Sequence, residues 1–310
     1  MTVLVCGSFA FDTIMLFHDR FKHHILPEQV HILNVSFLVP QMRREFGGCA
    51  GNIAYSLQML GGDVLAMGTV GEDFDAYAKW MDRWNVRRDH VTTVPGTFTA
   101  QAFITTDLDD NQITAFHPGA MGYSHLNSVS QAGAVSLGIV SPDGRDGMLL
   151  HARQFADAGI PFIFDPGQGM PMFDGSELDK FLEQATYLTL NDYECKLFQE
   201  RTGKSLQALA ERVEGLIVTR GGQGSEIYAG GRTYQVPAAA ARQVVDPTGC
   251  GDAYRAGLLY GIARGIDWET TGRIAALMGA IKIEHHGTQN HHLEPAEFAE
   301  RFRSEFGYSF

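Results

Sequence analysis

Little in this chain points to a membrane, an export route or a metal cage. Across 310 residues no apolar run is long enough to span a bilayer. The opening Met1-Thr2-Val3-Leu4-Val5-Cys6-Gly7 lacks the basic start and long apolar stretch of a secretory leader, so a cytoplasmic setting is expected. Only four cysteines occur, Cys6, Cys49, Cys195 and Cys250, and they form no paired spacing, so reduced thiols are expected. Positive charge is scarce: 24 Lys and Arg against 36 Asp and Glu leave a formal net charge of −12, which argues against nucleic acid as a partner. The histidine pairs His23-His24, His285-His286 and His291-His292 are poor metal ligands, because neighbours on a helix do not share a face. They read as surface or loop residues. No Pro- or Ser-rich linker and no internal repeat divides the chain, so residues 1–310 read as one domain.

What is present is an ordinary globular composition, 45% hydrophobic and 19% charged, with strand and helix patterns in alternation. Short apolar runs at 3–9, 64–70, 135–140, 161–165, 187–190 and 215–219 read as buried strands. Between and after them, 50–60, 74–84, 148–158, 177–184, 192–200, 251–263, 269–283 and 295–302 read as helices. In the first of these Ile53, Leu57 and Leu60 share a face, and Gly61-Gly62 ends it. Such alternation predicts an α/β fold whose parallel sheet is covered on both faces. Two stretches break the rhythm: about 13–46, which mixes apolar and polar residues without helical period, and about 91–118, which carries Thr-rich, β-like runs. They predict a small additional sheet, either a lid over a ligand crevice or an edge extension.

Four segments carry chemistry. In Val244-Val245-Asp246-Pro247-Thr248-Gly249-Cys250-Gly251-Asp252 an apolar run stops and a helix pattern begins. The glycines let backbone N–H groups approach an anion, the helix N-terminus adds positive potential, and Asp252 could take a proton from an attacking hydroxyl. Cys250 could be a low-pKa thiol at that helix start, though no histidine partner is evident. The segment is neither a Walker A loop nor a dinucleotide fingerprint, and alone it could be a glycine turn capped by Asp. Phe46-Gly47-Gly48-Cys49-Ala50-Gly51-Asn52 is a glycine hinge before a helix, and Asn52 can donate to and accept from a sugar hydroxyl. Asp12, just past the first strand, can accept from two vicinal hydroxyls or simply shape a turn. Asn191-Asp192-Tyr193-Glu194 could hold magnesium, directly or through water, or be a capping box. Val218-Thr219-Arg220-Gly221-Gly222-Gln223-Gly224 could lie along nucleotide phosphates or form a β-turn ahead of a hairpin over 225–236.

Together these residues resemble the ribokinase-like (PfkB) carbohydrate kinase family, and within it the bacterial adenosine and nucleoside kinases. The resemblance runs from the Asp12 strand to the Gly287-Thr288-Gln289 loop. It implies a three-layer ribokinase-like fold with a mostly parallel central sheet and a small β-sheet lid. By the same resemblance Asp252 is the catalytic base, and Gly249, Cys250 and Gly251 form the anion hole. Asp12, Gly48 and Asn52 would contact sugar hydroxyls. Asn191 and Glu194 would organise Mg2+ and phosphate, and Thr219, Gly221 and Gly224 would line ATP. Asp246 and Thr248 stand where the family often binds a monovalent cation such as K+. Ser8, Phe103, Phe116 and Met121 would surround a nucleobase, although aromatic and methionine side chains could equally be lid packing. Asp165-Pro166-Gly167-Gln168-Gly169 resembles a segment that approaches the base through Gln168.

The chain also departs from the pattern. Cys49 replaces a lysine common among sugar kinases, which disfavours a phosphorylated sugar. Gly169 and Met172 stand where a second Gln and an Arg follow in adenosine kinases. Tyr254 replaces the usual Phe, and Arg255 is an unusual addition that could reach a phosphate or form an exposed salt bridge. The expectation is an ATP-dependent kinase for the 5′-hydroxyl of a ribonucleoside, adenosine first, with inosine or guanosine admitted by Gly169. A kinase of a neutral sugar such as ribose or fructose is the alternative, and a non-catalytic sugar- or nucleotide-binding regulator the second. The expected partner is a small molecule, with no membrane and no nucleic acid, on a monomer or homodimer.

Overall fold

The computed structural model describes residues 1–25 and 34–310; the part of the first expected lid segment at 26–33 lies outside the described residues. In chain order the first elements are β1 (Thr2–Cys6), β2 (Ala10–Leu16), β3 (Gln41–Gly47), α1 (Cys49–Met59), β4 (Asp63–Val70), α2 (Asp75–Arg83) and β5 (Arg87–Thr93). Next come β6 (Ala100–Thr106), β7 (Gln112–His117), β8 (Leu137–Val140), α3 (Arg145–Asp157), β9 (Phe162–Phe164), α4 (Gly175–Gln184), β10 (Tyr187–Asn191) and α5 (Asp192–Thr202). The last are α6 (Leu206–Ala210), β11 (Gly215–Thr219), β12 (Ser225–Ala229), β13 (Arg232–Val236), α7 (Cys250–Ala263), α8 (Trp268–Ile283) and α9 (Pro295–Phe306).

Nine strands form the main sheet in the order β13-β12-β11-β10-β9-β8-β1-β4-β5. Its strands are parallel except for the β11-β12-β13 meander. The central strands are apolar because both of their faces are buried. In β1, Val3 and Val5 join a core with Ile53 and Leu57 of α1, Tyr77 of α2 and Leu258 of α7. Leu4 and Cys6 face the other way, toward Met148 and Phe155 of α3, Phe181 of α4 and Phe198 of α5. Each fully buried Leu or Phe of these layers contributes about 1.5–3 kcal/mol relative to exposure. The result is the expected three-layer sandwich.

Chain order reverses between β1 and β8. From β1 the sheet grows through β4 to β5 on one side, then returns to β8 and runs out through β11 on the other. Loops leaving adjacent strands part there, which opens a crevice at the carboxyl ends of the strands. The Ser8 N–H donates to Pro142 O at 3.1 Å and Ser141 Oγ to Cys6 O at 2.9 Å, so the two diverging loops are tied at their base.

A second sheet, β3-β2-β6-β7, stands beside this crevice, with β2 and β6 parallel and the other pairs antiparallel. It begins at Ala10, earlier than the expected boundary near 13. The second expected segment, from 91, needs a correction. Residues Arg87–Thr93 pair with β4 at the edge of the main sheet, and the lid resumes only at Ala100. An edge strand is paired on one side only, so β5 tolerates the polar run Arg87-Arg88-Asp89-His90 that disguises it. One histidine also departs from the surface reading. His291 is fully buried against α1, with Nε2 3.2 Å from Ser56 Oγ, and burial pushes its pKa down to about 3.

Candidate active site

The segment 246–252 turns from an extended approach into α7. Gly249 is the N-cap with φ 80°, a left-handed conformation that glycine adopts without penalty. A Cβ there would also lie 3.1 Å from Thr288, so the turn can pack closely on the 285–289 loop only because it carries none. The N–H groups of Gly249, Gly251 and Asp252 have no acceptor among the described residues and face the helix mouth, where an anion is favoured. The third expected member of the anion hole differs: the Cys250 N–H donates back to Pro247 O at 3.2 Å. Nor is Cys250 an activated thiol. Burial pushes its pKa up to about 11, against the lowering pull of Lys282 and with smaller raising contributions from Asp246 and Asp252.

Asp252 sits in the first turn of α7 and α1 lies beside it. Asn52 Nδ2 donates to Asp252 Oδ2 at 2.7 Å across that contact. Burial raises the Asp252 pKa to about 6, against the lowering pull of the Asn52 hydrogen bond and of Arg255. A carboxylate poised there is basic enough to accept a proton and still ionised at neutral pH.

The Asn52 amide is itself held. Gln289 Nε2 donates to Asn52 Oδ1 at 2.9 Å and to Tyr77 Oη at 2.6 Å, Tyr77 Oη donates to Gly47 O at 2.8 Å, and Trp80 Nε1 donates to Gln289 Oε1 at 3.1 Å. This relay fixes which end of the Asn52 amide meets Asp252. Its members Tyr77, Trp80 and Gln289 were not legible as site residues; Gln289 alone stood in a flagged loop. Gln289→Leu leaves two buried oxygens without a donor, each at a cost of about 1–3 kcal/mol. We expect a lower Tm, read by calorimetry, together with a raised acceptor KM.

Gly48 caps α1 with φ 87°, and a Cβ on it would meet Phe9 Cα and Ala10 N at 2.6 Å. Ser8 Oγ accepts the Cys49 N–H at 3.2 Å. Asp12 lies next to Gly47 on β2, and burial, with the charges of Glu45 and Asp246, raises its pKa to about 6. Strand register places Asp12, Glu45, Ala102 and Phe116 on one face of the lid. Phe103 pairs with Thr13 and Ala115 and so points from the opposite face, away from Asp12, because side chains alternate along β6. Met121 follows Ala120, whose carbonyl accepts from Thr69 Oγ1 at 2.7 Å, and Gln168 lies exposed in the turn after β9. Both therefore stand at the carboxyl ends of main-sheet strands.

On the far side of Asp252, Asn191 and Glu194 form a capping box at the start of α5. Asn191 Oδ1 accepts the Glu194 N–H at 2.7 Å and Glu194 Oε2 the Asn191 N–H at 2.8 Å. Glu194 keeps one carboxylate oxygen outside this box. Burial, then the charge of Asp165, raises its pKa, so an added cation would be welcome there. No cluster of three metal-ligating side chains occurs among the described residues. Thr219 ends β11, and Gly221 and Gly224 carry φ 53° and 89° in the turn that follows. Arg255 is not an exposed salt bridge. It is buried, with Nε and Nη2 donating to Asp165 Oδ2 and Oδ1 at 2.9 and 2.8 Å.

A free-amide helix mouth, a half-buried carboxylate beside it and a lid across the crevice define a phosphotransferase that acts on a hydroxyl group. The pfkB family carbohydrate kinase pattern matches residues 10–295, and the chain belongs to that family. It is 32% identical over 260 residues to a nucleoside kinase of Methanocaldococcus jannaschii, covering 83% of this chain and 85% of the relative. A nucleoside kinase of Methanothermobacter thermautotrophicus is 30% identical over 308 residues, 96% of this chain and 97% of the relative. Among solved structures, the Burkholderia thailandensis nucleoside kinase in complex with inosine is 54% identical, with a TM-score of 0.90 and 99% of each chain covered.

Proposed function

We propose that this protein is an ATP-dependent nucleoside kinase that phosphorylates the 5′-hydroxyl of a purine ribonucleoside. The observation that carries the acceptor class is the near-complete overlap with a nucleoside kinase that binds inosine. The crevice supports it. Asp12 and Asn52 offer an acceptor and an amide for ribose hydroxyls, and Phe116 shares the Asp12 face of the lid, where a ring could cover a base. Inosine and guanosine stand beside adenosine as acceptors, because Gly169 and Met172 occupy the places of polar purine contacts.

In the proposed reaction Asp252 takes the 5′-hydroxyl proton as the oxygen attacks the γ-phosphorus of ATP in line. The Gly249, Gly251 and Asp252 amides stabilise the equatorial oxygens of the transferred group. Mg2+, when bound with ATP, neutralises phosphate charge, and Glu194 would hold it through water. The lid excludes competing water. Such an enzyme would return purine nucleosides to the nucleotide pool. Four free thiols suit a reducing cytoplasm, and no helix among the described residues is long and apolar enough to cross a membrane. Met42, Phe103 and Ile113 are exposed on the lid face opposite Asp12, where a second copy could pack to give a homodimer.

A panel of nucleosides and free sugars with MgATP, scored by ADP release, tests the reading. A purine ribonucleoside is expected to exceed ribose and fructose by about 10²-fold or more in kcat/KM, since a base pocket adds contacts worth a few kcal/mol. Turnover of free sugars alone would overturn it. Asn52→Ala is expected to raise the nucleoside KM.

A further inference from the structure

The loop ahead of α7 packs on a buried positive charge that the phosphoryl-transfer residues do not account for. Lys282, in the last turn of α8, is 0% exposed. Its Nζ donates to Asp246 O at 2.7 Å and to His285 O at 3.2 Å. Both of its partners among the described residues are therefore backbone carbonyl oxygens. The carboxylates of Asp246, Asp252 and Glu45 surround it at longer range.

A buried ammonium costs several kcal/mol of desolvation unless it is bonded and surrounded by negative charge. Here it replaces that cost with a junction. Asp246 lies before the Gly249 turn and His285 before the Thr288-Gln289 loop. The Asp246 carboxylate ties the same two loops again, accepting the Thr248 N–H at 2.9 Å and the Gly287 N–H at 3.0 Å. Through Gln289 the second loop reaches Asn52 and Asp252. An ammonium resembles K+ in charge, in size and in its demand for carbonyl oxygens. Asp246 stands where a monovalent ion was expected, but its carbonyl is occupied by Lys282, and a second cation there would be repelled.

We propose that Lys282 is a tethered cation that does the work of a monovalent metal ion, so that this phosphotransferase needs none. The idea rests on the kinase reading only for its rate measurements. Its stability measurements need no acceptor.

The test compares KCl, NH4Cl and tetramethylammonium chloride at equal ionic strength, using the full chain and Lys282→Ala. The unsubstituted protein is expected to turn over at the same rate, and to unfold at the same Tm, in all three salts. Lys282→Ala should lose about tenfold or more in rate in tetramethylammonium, the scale of one lost charge-assisted bond. It should recover rate and Tm in K+ or NH4+, which fit the vacated space. If Lys282→Ala does not fold, Lys282→Gln carries the same comparison, since it keeps a donor without the charge. Activation of the unsubstituted protein by K+ over tetramethylammonium overturns the proposal. So does a folded variant with full rate in tetramethylammonium, or a defect that neither small cation relieves. If no acceptor is turned over, the Tm comparison alone decides: a Tm rise in K+ confined to the variant supports the proposal, and its absence overturns it.

Discussion

Asp252→Asn is expected to lower kcat by about 10²–10⁴-fold, the usual contribution of a positioned general base. Nucleoside binding, followed by calorimetry, should remain measurable, since Asn keeps an oxygen to accept the Asn52 amide 2.7 Å away. Near-normal turnover would remove Asp252 from the proposed reaction. The pH dependence follows from the same environment. The base must be ionised, so kcat should fall as pH drops through about 6, the value to which burial raises Asp252. Asp12 is raised to about 6 as well. In the free enzyme both must lose a proton to serve as base and hydroxyl acceptor, so kcat/KM should fall more steeply than kcat on the acid side. Stability moves the other way. A carboxyl whose folded pKa lies above its unfolded value binds more protons when folded, so stability is lost as pH rises through the interval from about 4 to about 6. Above that interval Asp252→Asn should be the more stable protein, by an amount on the order of 1–3 kcal/mol. A variant inactive yet more heat-resistant at pH 8 than at pH 5, each relative to the unsubstituted chain, is the expected pair of results.

The fold was legible because fully buried parallel strands are nearly continuous apolar runs, and β4, β8, β9 and β10 each lead on to a helix of different period. Residues 215–219 were read to the residue. What escaped was polar or determined at a distance. β5 presents Arg87-Arg88-Asp89-His90 at a sheet edge, and only its pairing with β4 reveals it as a main-sheet strand. Asp12, Asn52 and Asp252 were legible because glycines and turn residues mark the breaks in pattern beside them. Gln289 and Tyr77 were not, since Gln289 meets Asn52 from 237 residues away in sequence and Tyr77 acts only through Gln289. The opposite faces taken by Phe103 and Phe116 depend on register, which composition does not encode. Lys282 and His291 sit on ordinary-looking stretches, and only packing shows that both are fully buried.

Arg255→Met is expected to be the most destabilising single change in the crevice. Arg255 and Asp165 are 6% and 2% exposed and share two parallel hydrogen bonds, and Arg255 Nη1 also donates to Gly251 O at 3.3 Å. Removing the guanidinium leaves a carboxylate buried without its partner, which costs about 3–5 kcal/mol. For a chain of this size the Tm should fall by roughly 5–15 °C. Arg255→Lys should recover little of this, because a single ammonium cannot span both oxygens. Asp165→Asn in the Arg255→Met background should restore part of the loss, since the unpaired charge is then gone; full additivity of the two changes would show that the pair is not coupled. A second readout separates this role from plain packing. Arg255 lowers the pKa of both Asp252 and Glu194 by its charge. Without it, the acid limb of kcat should move above its starting value of about 6, and the apparent affinity for Mg2+ at fixed ATP should rise, because Glu194 loses a competing cation. A Tm unchanged by Arg255→Met, or an acid limb that stays in place, would remove Arg255 from the electrostatics of the base and leave it a surface residue in all but exposure.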